Sequence, residues 1–352
     1  MIKNIKIKAF KSFVDSTIPL TPLTVLTGLN GSGKSTVVQS LRMLLNSSSD
    51  KQYLSGFGGF EELRSKYCHP DDNICIKIEM DDSETHNLEI GKEGPVSIEN
   101  ETSIVFEYIG AERLGPQAYL PISHSRKITV GEKGEFCSDF FDKFEGCIIN
   151  DVMAHSGTQS KTLKEQLNTW MREISPNVVF SFGIDKKHDT SVIEIDSHRA
   201  TNTGFGLSYA LPIVLSSLVM SSRECNDFKE SFVEKWFHDL NHQDILFVVE
   251  NPEAHIHPQG QTMLGMLMFF LSSCGVQVLV ETHSDHFIDG VRIAAKELGR
   301  NESASIIFFT KENNAPTNFE VIDILDNGSL SRWPDGFFDQ IQKNLLRLSR
   351  RQ

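Results

Sequence analysis

Hydrophobic and polar residues alternate from the start of the chain. Ile5, Ile7 and Ala9 fall on one side and Lys6 and Lys8 on the other, which predicts a half-buried strand. A second apolar run, Leu23–Leu26, leads into Gly28-Leu29-Asn30-Gly31-Ser32-Gly33-Lys34-Ser35. From Thr36 to Leu45, Val37, Val38, Leu41, Leu44 and Leu45 then recur at helical spacing. The glycine-rich stretch thus sits between a strand and a helix. Residues 46–72 read as polar loop with a short helix. Four short runs, Ile74–Ile78, Leu88–Ile90, Val96–Ile98 and Ile104–Tyr108, predict an antiparallel subsheet. A helical stripe over 158–174 carries Leu163, Leu167, Trp170, Met171 and Ile174 and stops at Ser175-Pro176. Val178–Ile184 and Ser191–Ile195 flank a polar turn and predict a hairpin. A helix follows from about Ser208 to Ser221. The apolar strands Ile245–Val249, Val276–Val280 and Ile306–Phe309 alternate with helices near 258–272 and 284–298, a pattern that implies a parallel sheet. There is no internal repeat and no heptad array.

Composition narrows the class. The chain has 352 residues, 39% of them hydrophobic with 24 Phe, which excludes a disordered chain. Its formal net charge of −13 argues against a protein that coats nucleic acid, although a local basic groove stays open. No apolar run approaches the roughly 18 residues of a membrane span. Met1–Ile7 alternates lysine with isoleucine and does not read as a signal peptide. The expectation is a cytoplasmic protein with no membrane partner. Cys68, Cys75, Cys137, Cys147, Cys225 and Cys274 are scattered, so reduced thiols are expected, with neither a disulfide framework nor a zinc ribbon.

Gly28-x4-Gly33-Lys34-Ser35 is a full phosphate-loop pattern in its strand–loop–helix setting. Glycines let several backbone N–H groups converge on one anion, and the helix start adds its positive dipole end. Asn30, Gly31, Ser32, Gly33, Lys34, Ser35 and Thr36 are therefore the expected contacts to a nucleoside triphosphate, ATP, with the Ser35 hydroxyl on Mg²⁺. Glu250, ending an apolar strand far downstream, supplies a carboxylate for the metal. That separation is too long for a hexameric motor or a small GTPase, and no guanine-reading Asn-Lys-x-Asp motif is present.

Glu250-Asn251-Pro252-Glu253-Ala254-His255-Ile256-His257-Pro258 resembles the extended acidic motif of SMC/RecF/OLD-like ABC ATPases. Glu281-Thr282-His283-Ser284-Asp285 is similar to their switch-histidine segment, and Phe10-Lys11-Ser12-Phe13 to their N-terminal strand turn. Gly204-Phe205-Gly206-Leu207-Ser208 resembles a degenerate ABC signature, and the motifs stand in the family's order. Trp333-Pro334-Asp335-Gly336-Phe337-Phe338-Asp339 is similar to the ending of compact, stand-alone bacterial ATPases. The resemblance implies an α/β P-loop NTPase of ABC/SMC type, with a mixed central sheet, an antiparallel β-subdomain and a helical lobe. The expected organisation is a single head over 1–352. Residues 1–60 and 240–325 form the nucleotide-binding core, 73–110 the β-subdomain, 111–235 the helical and signature lobe, and 326–352 a C-terminal helix.

The resemblance also implies a homodimer closed by ATP, in which Gly204, Gly206 and Ser208 grip the γ-phosphate on the other subunit. By residue type alone, these form a helix start with free N–H groups and one hydroxyl, which is also a plain glycine hinge with a serine cap. His283 is placed to bond the γ-phosphate. His255 and His257 fall where the family has a subunit-contacting loop, and their spacing leaves a metal reading open.

The chain departs from the family at Asn251, where the base for the attacking water is usually Glu. An amide orients water but takes no proton at neutral pH. Three routes stay open: Glu253 swings in, Glu250 serves twice, or hydrolysis is slow and the ATP-bound state is what matters. For the glutamine that completes the Mg²⁺ shell, Gln117 is the candidate, and Arg113 pairs either with Glu112 or with the nucleotide loop. Neither coiled-coil arms nor an appended nuclease is evident. The closing segment, with Phe337, Phe338, Ile341, Leu345 and Leu348, reads as an amphipathic helix ending in Arg347, Arg350 and Arg351. The functional expectation is an ATP switch over a separate effector, a nuclease or toxin of bacterial anti-phage defence. The alternative is a RecF-like repair or recombination ATPase that binds DNA or RNA.

Overall fold

The computed structural model describes residues 1–48, 53–99 and 104–349. Among these residues, a six-stranded sheet is ordered Asn318–Asp323, Ala304–Thr310, Leu23–Gly28, Gln277–Glu281, Asp244–Glu250, Ile104–Ile109. Every neighbouring pair is parallel except Ala304–Thr310 with Asn318–Asp323. The apolar runs are explained by burial on both faces. Phe247 and Val249 join one hydrophobic cluster, with the helices Pro258–Ser273 and Asp285–Leu298, while Leu246 and Val248 join the other. The phosphate loop connects strand Leu23–Gly28 to helix Lys34–Asn46.

A second sheet, wholly antiparallel, is ordered Phe13–Pro19, Ile2–Phe10, Ile74–Met80, Thr85–Gly91, Gly94–Glu99. Ile5 and Ile7 are fully buried there, with Val37 and Leu41 of the phosphate-loop helix in the same cluster, while Lys6 and Lys8 face outward. Two corrections to the expected organisation follow. Ile104–Ile109 is not the fourth strand of the antiparallel group but the parallel edge neighbour of Asp244–Glu250. The first two strands, assigned to the nucleotide core, belong to the antiparallel sheet. An edge strand half exposed to solvent has the same alternation as a half-buried antiparallel strand, so pattern alone does not separate them.

The lobe beyond the edge strand holds helices Cys137–Phe144, Leu163–Ile174 and Phe205–Ser221 and the hairpin Phe180–Asp185/Thr190–Ile195. Leu163, Leu167, Trp170 and Met171 are buried as the stripe predicts. The helix nevertheless starts at Leu163, since Thr162 is extended, and residues 158–162 lie outside it. The signature helix starts three residues earlier than expected, at Phe205.

The expectation of reduced thiols is corrected at one place. Cys147 and Cys225, far apart in sequence, meet across two short antiparallel strands and are paired as a disulfide. Cys68, Cys75, Cys137 and Cys274 are free. At the C-terminus, Phe337 and Phe338 precede the helix Gln340–Ser349 rather than belonging to it. Phe337 is buried against Phe308 and Trp333, whereas Ile341, Leu345, Leu346 and Leu348 on the helix are all at least 60% exposed. Arg350 and Arg351 lie outside the described residues. No helix among the described residues is long and apolar enough to cross a membrane.

Candidate active site

The C-terminal ends of the parallel strands carry the chemistry. Gly28, Gly31 and Gly33 all have positive φ, which turns the loop backbone inward before the helix. At Gly33 the constraint is also one of space. A Cβ there would lie 2.7 Å from Thr317 Oγ1, which itself donates to the Ser32 carbonyl at 2.8 Å and pairs with the Ser12 hydroxyl at 2.7 Å. Thr317 thus fastens the back of the loop. Leu29, Asn30 and Gly31 are exposed at its crest, while Ser32, Lys34 and Thr36 are buried.

Lys34 is 3% exposed and donates to the carbonyls of Gly28 and Leu29, both at 3.0 Å, with Glu281 Oε1 at 3.8 Å. Burial lowers its pKa, and Glu281 and Glu253 oppose that shift. A buried ammonium satisfied by loop carbonyls is ready for a phosphate, because anionic oxygens are stronger partners for it than neutral ones. Ser35 Oγ donates to Glu281 Oε1 at 2.9 Å. Glu281 ends the strand lying between the phosphate-loop strand and the Glu250 strand, which brings it nearest the loop. Its other oxygen is buried without a partner, and its pKa is pushed up to about 7 by burial and by the Glu250 charge.

Burial also raises the Glu250 carboxyl. Arg42, the Ala111 N–H, the Tyr108 hydroxyl and Arg113 pull the other way. A buried carboxylate and a half-buried one that repel each other, the first with an oxygen unpartnered among the described residues, beside a serine hydroxyl and a lysine, fit a divalent cation and a polyphosphate. Tyr108 is held in turn by Arg42, whose guanidinium carbon stacks 3.8 Å from the ring centroid while both Glu132 oxygens accept from it at 2.7 Å.

Beyond Glu250 the chain turns sharply. Asn251 has φ 47, and its N–H donates to the Glu281 carbonyl at 2.7 Å. Glu253 binds the switch segment through both oxygens. Oε2 accepts from Thr282 Oγ1 at 2.8 Å and Oε1 from the His283 N–H at 2.7 Å. His283 is exposed, yet partial desolvation of its ring, followed by the Lys34 charge, lowers its pKa against the opposing Glu253 charge and favours the neutral imidazole. His257 caps the next helix by accepting from the Gln259 N–H, and the His255 ring packs on Phe205 and Tyr209. No cluster among the described residues has the ligands for a histidine-bound metal.

Gly204, Gly206 and Ser208 sit at the start of the signature helix, and no hydrogen bond joins them to the phosphate loop among the described residues. Gly206 has a packing duty too, because a Cβ there would lie 2.6 Å from the His255 carbonyl oxygen. Gln117 is exposed and lines a small cavity with Ser208 and Leu211, not with Ser35 or Glu250. Arg113 departs from both expected pairings. It is buried and donates to backbone carbonyls, while Glu112 pairs with Lys133 at 3.1 Å. Glu281, Thr317 and Tyr108 carried no role in the sequence reading. The only signal for Glu281 was its place at the end of an apolar strand beside the histidine motif.

Two family models match. An AAA ATPase domain model matches residues 1–166 and 149–288, and a family of unknown function, DUF3696, matches residues 300–348. No curated protein matches the sequence. Among solved structures, an SMC head bound to the C-terminal winged-helix domain of ScpA is similar with a TM-score of 0.55 at 14% identity, covering 93% of this chain and 98% of that one. A Pyrococcus furiosus SMC head with an extended coiled coil, bound to the C-terminal domain of ScpA, is similar with a TM-score of 0.53 at 11% identity, covering 99% of each chain. At these identities the likeness is one of fold alone, that of an SMC head domain.

Proposed function

The chain belongs to the AAA ATPase domain family, and from that premise we propose that it is an ABC-type ATPase whose ATP-bound homodimer is a switch over a separate effector protein. The observation that carries this reading is the pairing of a complete phosphate-binding apparatus with an incomplete proton acceptor. Lys34 and the loop N–H groups bind the phosphates, and Ser35 with Glu250 would hold Mg²⁺, with Glu281 beside them. When bound, the metal supplies charge neutralisation at the phosphate oxygens. Asn251 stands where a base is expected and cannot take a proton. Glu253 already uses both oxygens to hold Thr282 and His283, so swinging in would break two hydrogen bonds. Of the three routes to hydrolysis, slow turnover accords best with this arrangement, and ATP binding is then the output.

The composite-site reading is supported by the absence, among the described residues, of a hydrogen bond between the two helix starts within one chain. Gly204, Gly206 and Ser208 complete the partner's site, and ATP joins the two protomers, a symmetric closure. The exposed aliphatic residues of the closing helix support a protein partner, because such a patch is costly to leave in water. The effector is a nuclease or toxin of bacterial anti-phage defence, and the site of action is the cytoplasm. One observation favours a RecF-like nucleic-acid reading. Lys6 and Lys77 pair across adjacent strands with Lys8 nearby on the outer face of the antiparallel sheet, a face they share with Asp15 and Glu89.

The test is to purify the tagged chain from its own host with a non-hydrolysable ATP analogue and weigh the native complex. A stoichiometric second protein supports the switch. Two protomers alone that retain DNA on a mobility gel support the nucleic-acid reading. In parallel, Asn251→Glu should raise turnover on the order of tenfold or more, and an unchanged rate contradicts the missing-base account.

A further inference from the structure

Arg113 takes no part in the phosphate chemistry above, yet it lies between the turn after Glu250 and the signature helix. The side chain is 3% exposed. Nη1 donates to the carbonyls of Gly110 at 2.9 Å and Glu250 at 2.7 Å, and Nη2 to that of Asn251 at 2.5 Å. A buried guanidinium whose hydrogen bonds go to carbonyls rather than to a carboxylate is costly, a cost that the nearby Glu253 and Glu250 charges offset in part. Its carbonyl partners at 250 and 251 form the turn that presents the acid motif, where Asn251 is held at φ 47, a conformation non-glycine residues adopt only when their surroundings impose it.

The other face of Arg113 meets the signature helix. The Tyr209 ring, one turn into that helix, lies 5.1 Å from the guanidinium carbon. The same ring meets His255 edge-on at 4.8 Å, and Gly206 lies against the His255 backbone. The signature helix therefore touches the turn after Glu250 directly at His255 and indirectly through Arg113. Arginine suits the bridging position, because its flat fork reaches three carbonyls while its face stays free for a ring, and lysine offers no such fork.

We propose that Arg113 is a positioning residue that couples the signature helix to the Glu250–Asn251 turn, so that an occupant of the Gly204–Ser208 helix start sets how the same chain presents its acid motif to its own nucleotide. The inference rests on the ATPase reading above. In a symmetric dimer, each chain gives a signature to one site and an acid motif to the other, and this contact path links the two.

A double-mutant cycle on the full chain tests it, with Arg113→Lys, Tyr209→Leu and the double variant. ATP turnover, affinity for a fluorescent non-hydrolysable analogue and analogue-dependent mass are measured for each. Arg113→Lys should lower kcat about tenfold and Tyr209→Leu about threefold, with analogue affinity within about twofold of wild type and the dimer retained. The double variant should be no slower than Arg113→Lys alone, because the tyrosine acts through the arginine. Additive losses, an unchanged kcat, or analogue affinity falling in step with kcat would each overturn the coupling. Tyr209→Leu leaves the carbonyl bonds in place, so the tyrosine arm decides the matter even if Arg113→Lys fails to fold: a wild-type kcat in Tyr209→Leu then overturns the proposal. Wild-type protein that binds no ATP overturns the ATPase reading and this inference together, whereas wild-type turnover with an additive cycle overturns the inference alone.

Discussion

The phosphate loop and the signature turn both open a helix after glycine, yet they are built to different degrees of completeness. At the loop, a buried lysine, a serine and two carboxylates converge, and Thr317 braces the backbone from behind. At the signature turn, no lysine or carboxylate among the described residues is bonded to the helix start in this way. The Phe205 ring is 55% exposed, Gly204 has nothing within 4 Å of where a Cβ would be, and Gly206 is closed in by His255. A helix start with little else is a weak anion site. The loop gathers the groups of a phosphate site by itself, whereas on the reading proposed above the signature turn would be a half-site completed by a second chain.

The sharpest way to break that contrast is at Lys34. Lys34→Ala should reduce ATP affinity on the order of a hundredfold or more, since it removes the buried cation that phosphate oxygens would engage. Titration with a fluorescent ATP analogue measures it, and unchanged affinity contradicts the loop assignment. A smaller effect is expected at Gly206, where the contrast predicts a cost in packing. Gly206→Ala sets a methyl 2.6 Å from the His255 carbonyl oxygen and should destabilise the fold by about 1–3 kcal/mol in denaturant unfolding. A neutral result there would free Gly206 for an anion-binding role alone.

The smallest effect concerns the edge strand, away from the signature half-site. Glu107 is 3% exposed, accepts from Thr129 Oγ1 and the Val130 N–H, and has its pKa raised by burial to about 7. Its folded value lies above the ordinary 4.5. The stability it contributes is therefore present at pH below 4.5 and lost as pH rises through about 7. Glu107→Gln keeps both acceptor contacts and removes the charge, so its melting temperature should exceed that of wild type increasingly between pH 5 and 8. Glu281 and Glu250 shift in the same direction, so the phosphate-loop region contributes to the pH dependence left in the variant. A wild-type pH profile in Glu107→Gln contradicts the burial argument.

The elements were legible where local pattern and tertiary burial agree. Ile5 and Ile7 against Lys6 and Lys8, and the unbroken apolar strands at 245–249 and 276–280, read the same way in sequence and in space. Sheet order was not legible, and several misses follow from it. Ile104–Ile109 has an alternation that suits either sheet. Glu281 gains its place only because its strand lies between those of the phosphate loop and Glu250. Thr317 and Ser32, like Cys147 and Cys225, meet only through the folded topology. Arg113 had a charged neighbour in sequence and carbonyl partners in space, since burial of the segment left Glu112 outside.

The central claim is that each ATP is shared between a phosphate loop and the signature turn of a second chain. Its most direct test is sedimentation or native mass of the wild type and Ser208→Arg with Mg²⁺ and a non-hydrolysable ATP analogue. The account predicts that the wild type shifts from one to two protomers when the analogue binds, and that Ser208→Arg binds the analogue with wild-type affinity yet stays at one. Analogue-dependent dimers of Ser208→Arg would contradict the shared site.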